Sequence, residues 1–341
     1  MKDLAQQRLV SFHLPHEQFP VPVLIEVAQA AAFAGFGAIS ASDHFQPWQA
    51  NQGHCGATWV TLAALTGRVE TLMGTAVTCP ILHYPPAVVA QAFATLAQVH
   101  PGRIYLGVGS GEAINEEAVT GIWPNWQERW ERMEEAITVI RKLWTGETVS
   151  FQGRFYKVAG RLYDPPPQPI PLLVAGNGPK SILLSAKLGD GLITDPRTWK
   201  SYKGDWQEAA RKAGKNPDEM PVLIEDWIVI GNQEEALEQA KLWRFLPKVF
   251  TKYWNDPDPV SIQEQAEREV KLEEVIAPWT ISTDPAAHIA EIRELWDSGV
   301  TIVNVHSPEP DLFKVVEFYR RQVLPNLGQT HRPNLGQTHR R

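Results

Sequence analysis

Two cysteines in 341 residues, Cys55 and Cys79, are too few for a disulfide framework, and neither sits in a CxxC pair or a zinc-ligand spacing. A chain this long buries a large core without staples, so a reducing cytoplasm is the expected setting. Cations are also scarce: 32 Lys and Arg face 39 Asp and Glu, a net charge of -7, and they form no cluster. That excludes a binder of nucleic acid or of an anionic membrane, each of which needs grouped cations to meet phosphates. No apolar run approaches the roughly 20 residues of a membrane span. The first ten residues are polar and mixed in charge, so neither an anchor nor an export signal is expected. A Gly-x-Ser-x-Gly elbow and a Walker loop are both missing. His13, His16, His54, His83 and His306 show no i, i+4 pairing, so no metal is expected.

What is present is an alternation. Short runs rich in β-branched and apolar residues are separated by longer amphipathic stretches, the pattern of βαβ units around a parallel sheet. Eight such runs stand out: 8–12, 38–41, 71–78, 104–108, 171–175, 191–194, 222–230 and 301–305. Eight strands favour closure into a (β/α)8 barrel, which as a single domain accommodates this length with insertions. Helices are expected at 22–35, 86–100, 126–144 and 285–298, the last stopped by Gly299.

Two segments exceed a minimal barrel. Residues 149–171 carry Gly153-Arg154-Phe155-Tyr156 and then three consecutive prolines, and read as a hairpin with a stiff return. Residues 245–276 hold Lys248, Lys252 and Trp254 and then a charged helix, either a lid over the barrel mouth or a surface helix. At the end, PNLGQTHR at 325–332 recurs unchanged at 333–340, so 326–341 is expected to be a frayed tail.

In such barrels chemistry gathers at the C-terminal ends of the strands. Glu17 and Gln18, then Asp43, His44 and Trp48, fall after the first two runs, and Ala76, Val77 and Thr78 end the third. An imidazole there can move a proton near neutral pH, and a lone Asp-His pair in a loop can equally be a helix cap beside a surface histidine. The fourth run ends in Gly107-Val108-Gly109-Ser110-Gly111-Glu112, whose glycines admit something planar or anionic. Glu112 facing His44 would make an acid and base pair, and a plain helix start is the bland alternative. A second glycine turn, Gly176-Asn177-Gly178-Pro179-Lys180, opens a helix whose free amides suit a phosphate.

Three stretches, Ser42 to Trp48, Tyr84 to Thr95 and Gly107 to Glu116, closely resemble the dehydrogenases for glucose-6-phosphate and secondary alcohols that use coenzyme F420, a group within the luciferase-like superfamily. The resemblance extends to about Pro325. It implies a luciferase-like (β/α)8 barrel, commonly a homodimer, with the deazaflavin ring at the mouth. It further implies that Asp43, Ser110, Gly111, Glu112 and Asn115 contact the coenzyme, that Ala76-Val77 forms a non-prolyl cis peptide behind the ring, and that Gly176 to Lys180 holds its phosphate.

By the same resemblance His44 takes the hydroxyl proton as hydride leaves, Glu112 serves N1 of the ring, Trp48 steadies the substrate oxygen and Glu17 completes the polar pocket. Of the group's three phosphate anchors, the lysines correspond to Arg197 and approximately to Lys252. The arginine corresponds to Pro278, which cannot form a bidentate phosphate contact. A sugar phosphate and a neutral alcohol therefore both remain open as the small-molecule substrate. Two other readings of the barrel also remain open: a flavin mononucleotide monooxygenase and a non-catalytic sensor of a sugar phosphate or cofactor.

Overall fold

A computed structural model describes residues 2–329. Its eight parallel strands are β1 (Leu9–Leu14), β2 (Ala38–Ala41), β3 (Leu72–Thr75), β4 (Ile104–Val108), β5 (Leu172–Ala175), β6 (Gly191–Thr194), β7 (Val222–Val229) and β8 (Ile302–His306). Each pairs with the next, and β8 pairs with β1, closing the (β/α)8 barrel. The helices expected from periodicity lie at Val21–Ala34, Pro86–Val99, Trp126–Trp144 and Pro285–Asp297. Gly299 follows the last of these in the left-handed region at φ 96, which a Cβ would make costly.

One expected strand is shorter than its apolar run. Instead of continuing to Thr78, β3 stops at Thr75, because the Ala76–Val77 peptide is cis. The chain rejoins the sheet at Thr78, whose N–H donates to Gly107 O and whose carbonyl accepts from Gly109 N–H.

Alternation along each strand sends one residue set inward and the next toward the helices. Leu9, Ala38, Tyr105, Leu173, Ile193, Leu223 and Ile302 form an apolar floor inside the barrel. One step higher the interior turns polar: Ser11 and Ser40 share a 2.9 Å hydrogen bond, and Asn304 meets His13. Higher still stand His13, His306 and Trp227. Polarity thus rises toward the C-terminal ends, where water and ligands enter.

At Val149–Gln152 and Lys157–Gly160 the chain forms an antiparallel hairpin outside the barrel. Its turn is held by the Glu135 carboxylate, which accepts from the N–H groups of Arg154 and Phe155. Residues 245–276 contain short 3-10 turns and the helices Pro259–Glu269 and Leu272–Ile276. The frayed-tail expectation is corrected for 326–329. Leu324–Leu327 forms a 3-10 turn, Asn326 O accepts from Arg293, and Gln329 donates to Arg8 O at 2.7 Å, because the last turn packs back onto the barrel's N-terminal rim. The remainder of the tail, 330–341, lies outside the described residues.

Candidate active site

Barrel closure places the ends of β1 and β2 side by side, and with them Glu17 and His44. His44 Nε2 lies 3.2 Å from Glu17 Oε1, and Ser42 Oγ donates to Glu17 Oε2 at 2.6 Å. On its other side, His44 Nδ1 lies 2.8 Å from the amide nitrogen of Asn115. That nitrogen also donates to Glu112 Oε2 at 3.0 Å. Glu112 and His44 are therefore bridged by Asn115 rather than touching, and the expected direct pair becomes a chain of four: Glu17, His44, Asn115, Glu112. Asn115 is buried at the start of the helix Ala113–Thr120, and its Oδ1 accepts from Phe45 N–H at 2.9 Å.

Burial pushes the Glu112 carboxyl above the usual carboxylate range, with nearby His44 and the Asn115 hydrogen bond pulling the other way. The same desolvation raises Asp43, partly offset by Thr78. Asp43 Oδ2 accepts from Thr78 Oγ1 at 2.5 Å and from Trp59 Nε1 at 2.8 Å, whereas its Oδ1 is buried with no partner. A buried acceptor left open in this way costs about 1–3 kcal/mol unless a ligand or water fills it. Thr78 belongs to the strand end singled out in the sequence, whereas Trp59, in the helix Thr58–Leu65, was not among the expected site residues.

Ser110 and Gly111 follow β4. Gly111 has φ 78, and a Cβ there would fall 2.6 Å from Cys79 Sγ and 2.8 Å from Glu116 Cγ. At Gly109 a Cβ would strike Val77 at 2.6 Å, so this turn packs directly on the cis segment. Beside it, Thr194 Oγ1 at the end of β6 donates to Gly176 O, just past β5, at 2.7 Å and to Asn177 Oδ1 at 3.0 Å. Gly178 is the N-cap of Pro179–Leu188 and no side chain caps that helix, leaving its first amides for an anion. Lys180 Nζ stands 5.6 Å from the centre of the Trp126 ring.

Trp48 is buried, edge-on to His44 at 5.9 Å between centroids and stacked on Phe245 at 4.9 Å. Residues 245–276 thus cover this side of the mouth. Gln46 donates to Pro257 O, Gln49 accepts from Phe245 N–H, and Asn51 N–H donates to Gln263. Beneath them runs a ladder of rings absent from the expectations: His13 on His306 (4.0 Å), His306 on Trp227 (3.7 Å) and Trp227 on Trp279 (5.4 Å). Arg197 is exposed near the start of Pro196–Lys212, Pro278 is exposed, and Lys252 is ion-paired with Glu269.

Atoms of His13, Glu225 and His306 come within 4.8 Å of one another. The two imidazoles are stacked 24° from parallel, however, so no ion can lie in both ring planes at the about 2.0–2.1 Å that zinc–nitrogen bonds require. This cluster does not suit a metal as arranged. Both imidazoles are held well below the ordinary histidine range by burial.

A closed parallel barrel with an acid, an imidazole and an uncapped glycine turn at one end defines a cofactor-binding α/β barrel. The chain belongs to the luciferase-like family: residues 8–301 match the family described as luciferase-like monooxygenase. It is 42% identical over 324 residues, 94% of this chain and 88% of the relative, to the F420-dependent hydroxymycolic acid dehydrogenase of Mycobacterium tuberculosis. To the F420-dependent glucose-6-phosphate dehydrogenase of Nakamurella multipartita it is 35% identical over 319 residues, 91% and 94% of the two chains. Among solved structures, an F420-dependent secondary alcohol dehydrogenase in complex with an F420-acetone adduct superposes with TM-score 0.87 at 30% identity, covering 93% of this chain and 98% of that one. Among the described residues no helix is long and apolar enough to cross a membrane.

Proposed function

We propose that this chain is a coenzyme F420-dependent dehydrogenase acting on a neutral secondary alcohol. The observation that carries the reading is the chain of contacts Glu17, His44, Asn115, Glu112, hydrogen-bonded through Asn115, set beside an unpartnered Asp43 oxygen and an uncapped helix turn. The names of relatives at 35–42% identity support the same coenzyme.

The residues present fit a deazaflavin. Asp43 Oδ1 offers a buried acceptor, Ser110 and Gly111 shape a backbone cradle that a Cβ would fill, and Ala76-Val77 walls its back. In the turn Gly176, Asn177, Gly178, Pro179, Lys180, the N–H groups of Asn177, Gly178 and Lys180 and the Lys180 ammonium would meet the phosphate, with Pro179 fixing the first helical turn and Gly176 N–H tied to Ile193 O. When bound, the deazaflavin accepts a hydride at C5. Around it, His44 receives the alcohol proton, Trp48 steadies the oxygen with its indole N–H, and Glu112, whose carboxyl burial pushes up, serves the N1 side.

A neutral alcohol is favoured over a sugar phosphate by the aromatic ladder at Trp227 and Trp279, by Pro278 and by the engagement of Lys252 with Glu269. Exposed Val60 and Val88, on two helices that touch, support a homodimer. Unpaired Cys55 and Cys79 support a cytoplasmic site of action.

Titrating purified protein with coenzyme F420 tests the reading. Binding in the micromolar range is expected, with loss of visible absorbance on adding secondary alcohols and none with glucose-6-phosphate. Failure to bind the coenzyme, with no bleaching by any alcohol, overturns it. Oxygen uptake with reduced flavin mononucleotide would transfer the chain to the monooxygenases of its family, and binding without hydride transfer would make it a sensor.

A further inference from the structure

We infer that Glu225, inside the barrel, is a second polar subsite of the pocket, and that the alcohol this chain oxidises carries a further hydroxyl group which Glu225 binds. The role as substrate rests on the dehydrogenase reading, whereas the hydroxyl subsite does not. Alternation along β7 supplies the residue. Leu223 belongs to the apolar floor and Trp227 to the ring ladder, so Glu225 between them also points into the barrel. It pairs with Asn304, one layer below the pairing of Trp227 with His306, and its Oε1 rises to 2.7 Å from His306 Nδ1. The other oxygen has no hydrogen-bond partner among the described residues. Although the side chain stands inside the barrel, 30% of its surface is open, so it faces a lumen and not packed atoms. The same wall leaves His13 Nε2, His306 Nε2 and Asn304 Oδ1 buried without a partner, where a packed interior satisfies its polar groups.

Position decides what reaches that lumen. In a closed ring of eight strands, β3 and β7 lie four apart and face each other across the barrel. Ala76 and Val77, which wall the back of the coenzyme, follow β3, so Glu225 looks toward the opposite, open side of the ring. Glu17 and His44, past β1 and β2, serve that same side. An alcohol with its carbinol oxygen at His44 and Trp48 therefore extends along β8 and β7, over Trp227, to the Glu225 carboxyl. A hydroxyl suits that carboxyl whether or not it is ionised, because it both donates and accepts. A phosphate would set a second acidic group against it, and an alkyl end would leave it shut off from water and unpaired. The class of substrate is a neutral diol or polyol with a secondary carbinol.

The test compares 2-hexanol with the hexanediols whose second hydroxyl sits one, two or three carbons from the carbinol, using oxidised coenzyme F420. For at least one diol, wild-type kcat/KM is expected to exceed that of 2-hexanol roughly tenfold or more. Glu225→Met, similar in size but without a polar hydrogen-bonding group, should bring that ratio to about one, and Glu225→Gln, which still donates and accepts, should keep most of it. A purely structural role would lower both alcohols together and leave the ratio unmoved, which overturns the inference. So does a wild-type ratio near one for every diol, a result that needs no variant to fold. A coenzyme Kd weakened about tenfold in Glu225→Met assigns the open oxygen to the coenzyme and likewise overturns it. Nitrogen-15 NMR of histidine-labelled wild-type protein, without coenzyme, reads the subsite alone. The preferred diol, or failing turnover any of the three, is expected to shift the His306 resonances with concentration where 2-hexanol does not, and no shift overturns the subsite. That shift, with no bleaching of the coenzyme by any alcohol, overturns the dehydrogenase reading and leaves the subsite standing.

Discussion

Single atoms carry much of the argument at the smallest scale. Asp43 Oδ1 is buried and unpartnered beside a saturated Oδ2. Since a hydrogen bond to a charged group contributes about 1.5–3 kcal/mol, Asp43→Ala should weaken coenzyme binding roughly ten- to hundredfold in a fluorescence titration. A second carboxyl, Asp226 on β7, is buried away from the mouth, and burial with nearby Glu291 pushes it up to about 8. Its folded value exceeds its unfolded one, so folding takes up a proton between about pH 4 and 8 and stability falls across that window as pH rises. Asp226→Asn removes the dependence. The variant should melt close to wild type near pH 4 and progressively higher than wild type up to pH 8, in thermal scans at each pH.

Whole segments behave in ways that their residues do not disclose singly. Lys215 sends its ammonium to the carbonyls of Ala186, Lys187 and Gly189, closing the C-terminal end of Pro179–Leu188. Lys215→Met strands those carbonyls and should cost about 1–3 kcal/mol, read as a melting point lower by a few degrees. Gln49 joins the loop bearing His44 to Phe245, the first residue of 245–276, and to Lys241 O just before it. Gln49→Ala gives up about 1 kcal/mol of local stability and should speed proteolysis within 245–276 roughly fivefold.

Elements were also where the sequence was most readable. Periodicity located every barrel strand because each is flanked by a helix with its own period, and His44 stood out because small residues end β2 just before it. The cis turn that shortens β3 was invisible to periodicity, since Ala76 and Val77 read as more strand, and it entered only through family resemblance. Contacts across the barrel were hidden for a different reason. Glu17 meets His44 only because β1 and β2 pair, and the ladder of His13, His306, Trp227 and Trp279 draws on distant stretches that no local spacing connects. The same holds for residues 245–276, whose attachment to the loop after His44 through Gln46, Gln49 and Asn51 joins stretches about 200 residues apart.

Across the molecule, an apolar floor, a polar middle and a mouth lined by acids and imidazoles form one gradient along the barrel axis. Two indoles stand at the top of it. Trp48 is edge-on to His44, and Trp59 donates to Asp43, the residue proposed to hold the coenzyme. Their ultraviolet emission would overlap the absorption of any conjugated ring seated between them. Bound coenzyme would therefore darken the protein's own fluorescence, and its chemical reduction would change how deeply. The site carries its own optical gauge, able to follow occupancy and turnover in real time without an added label.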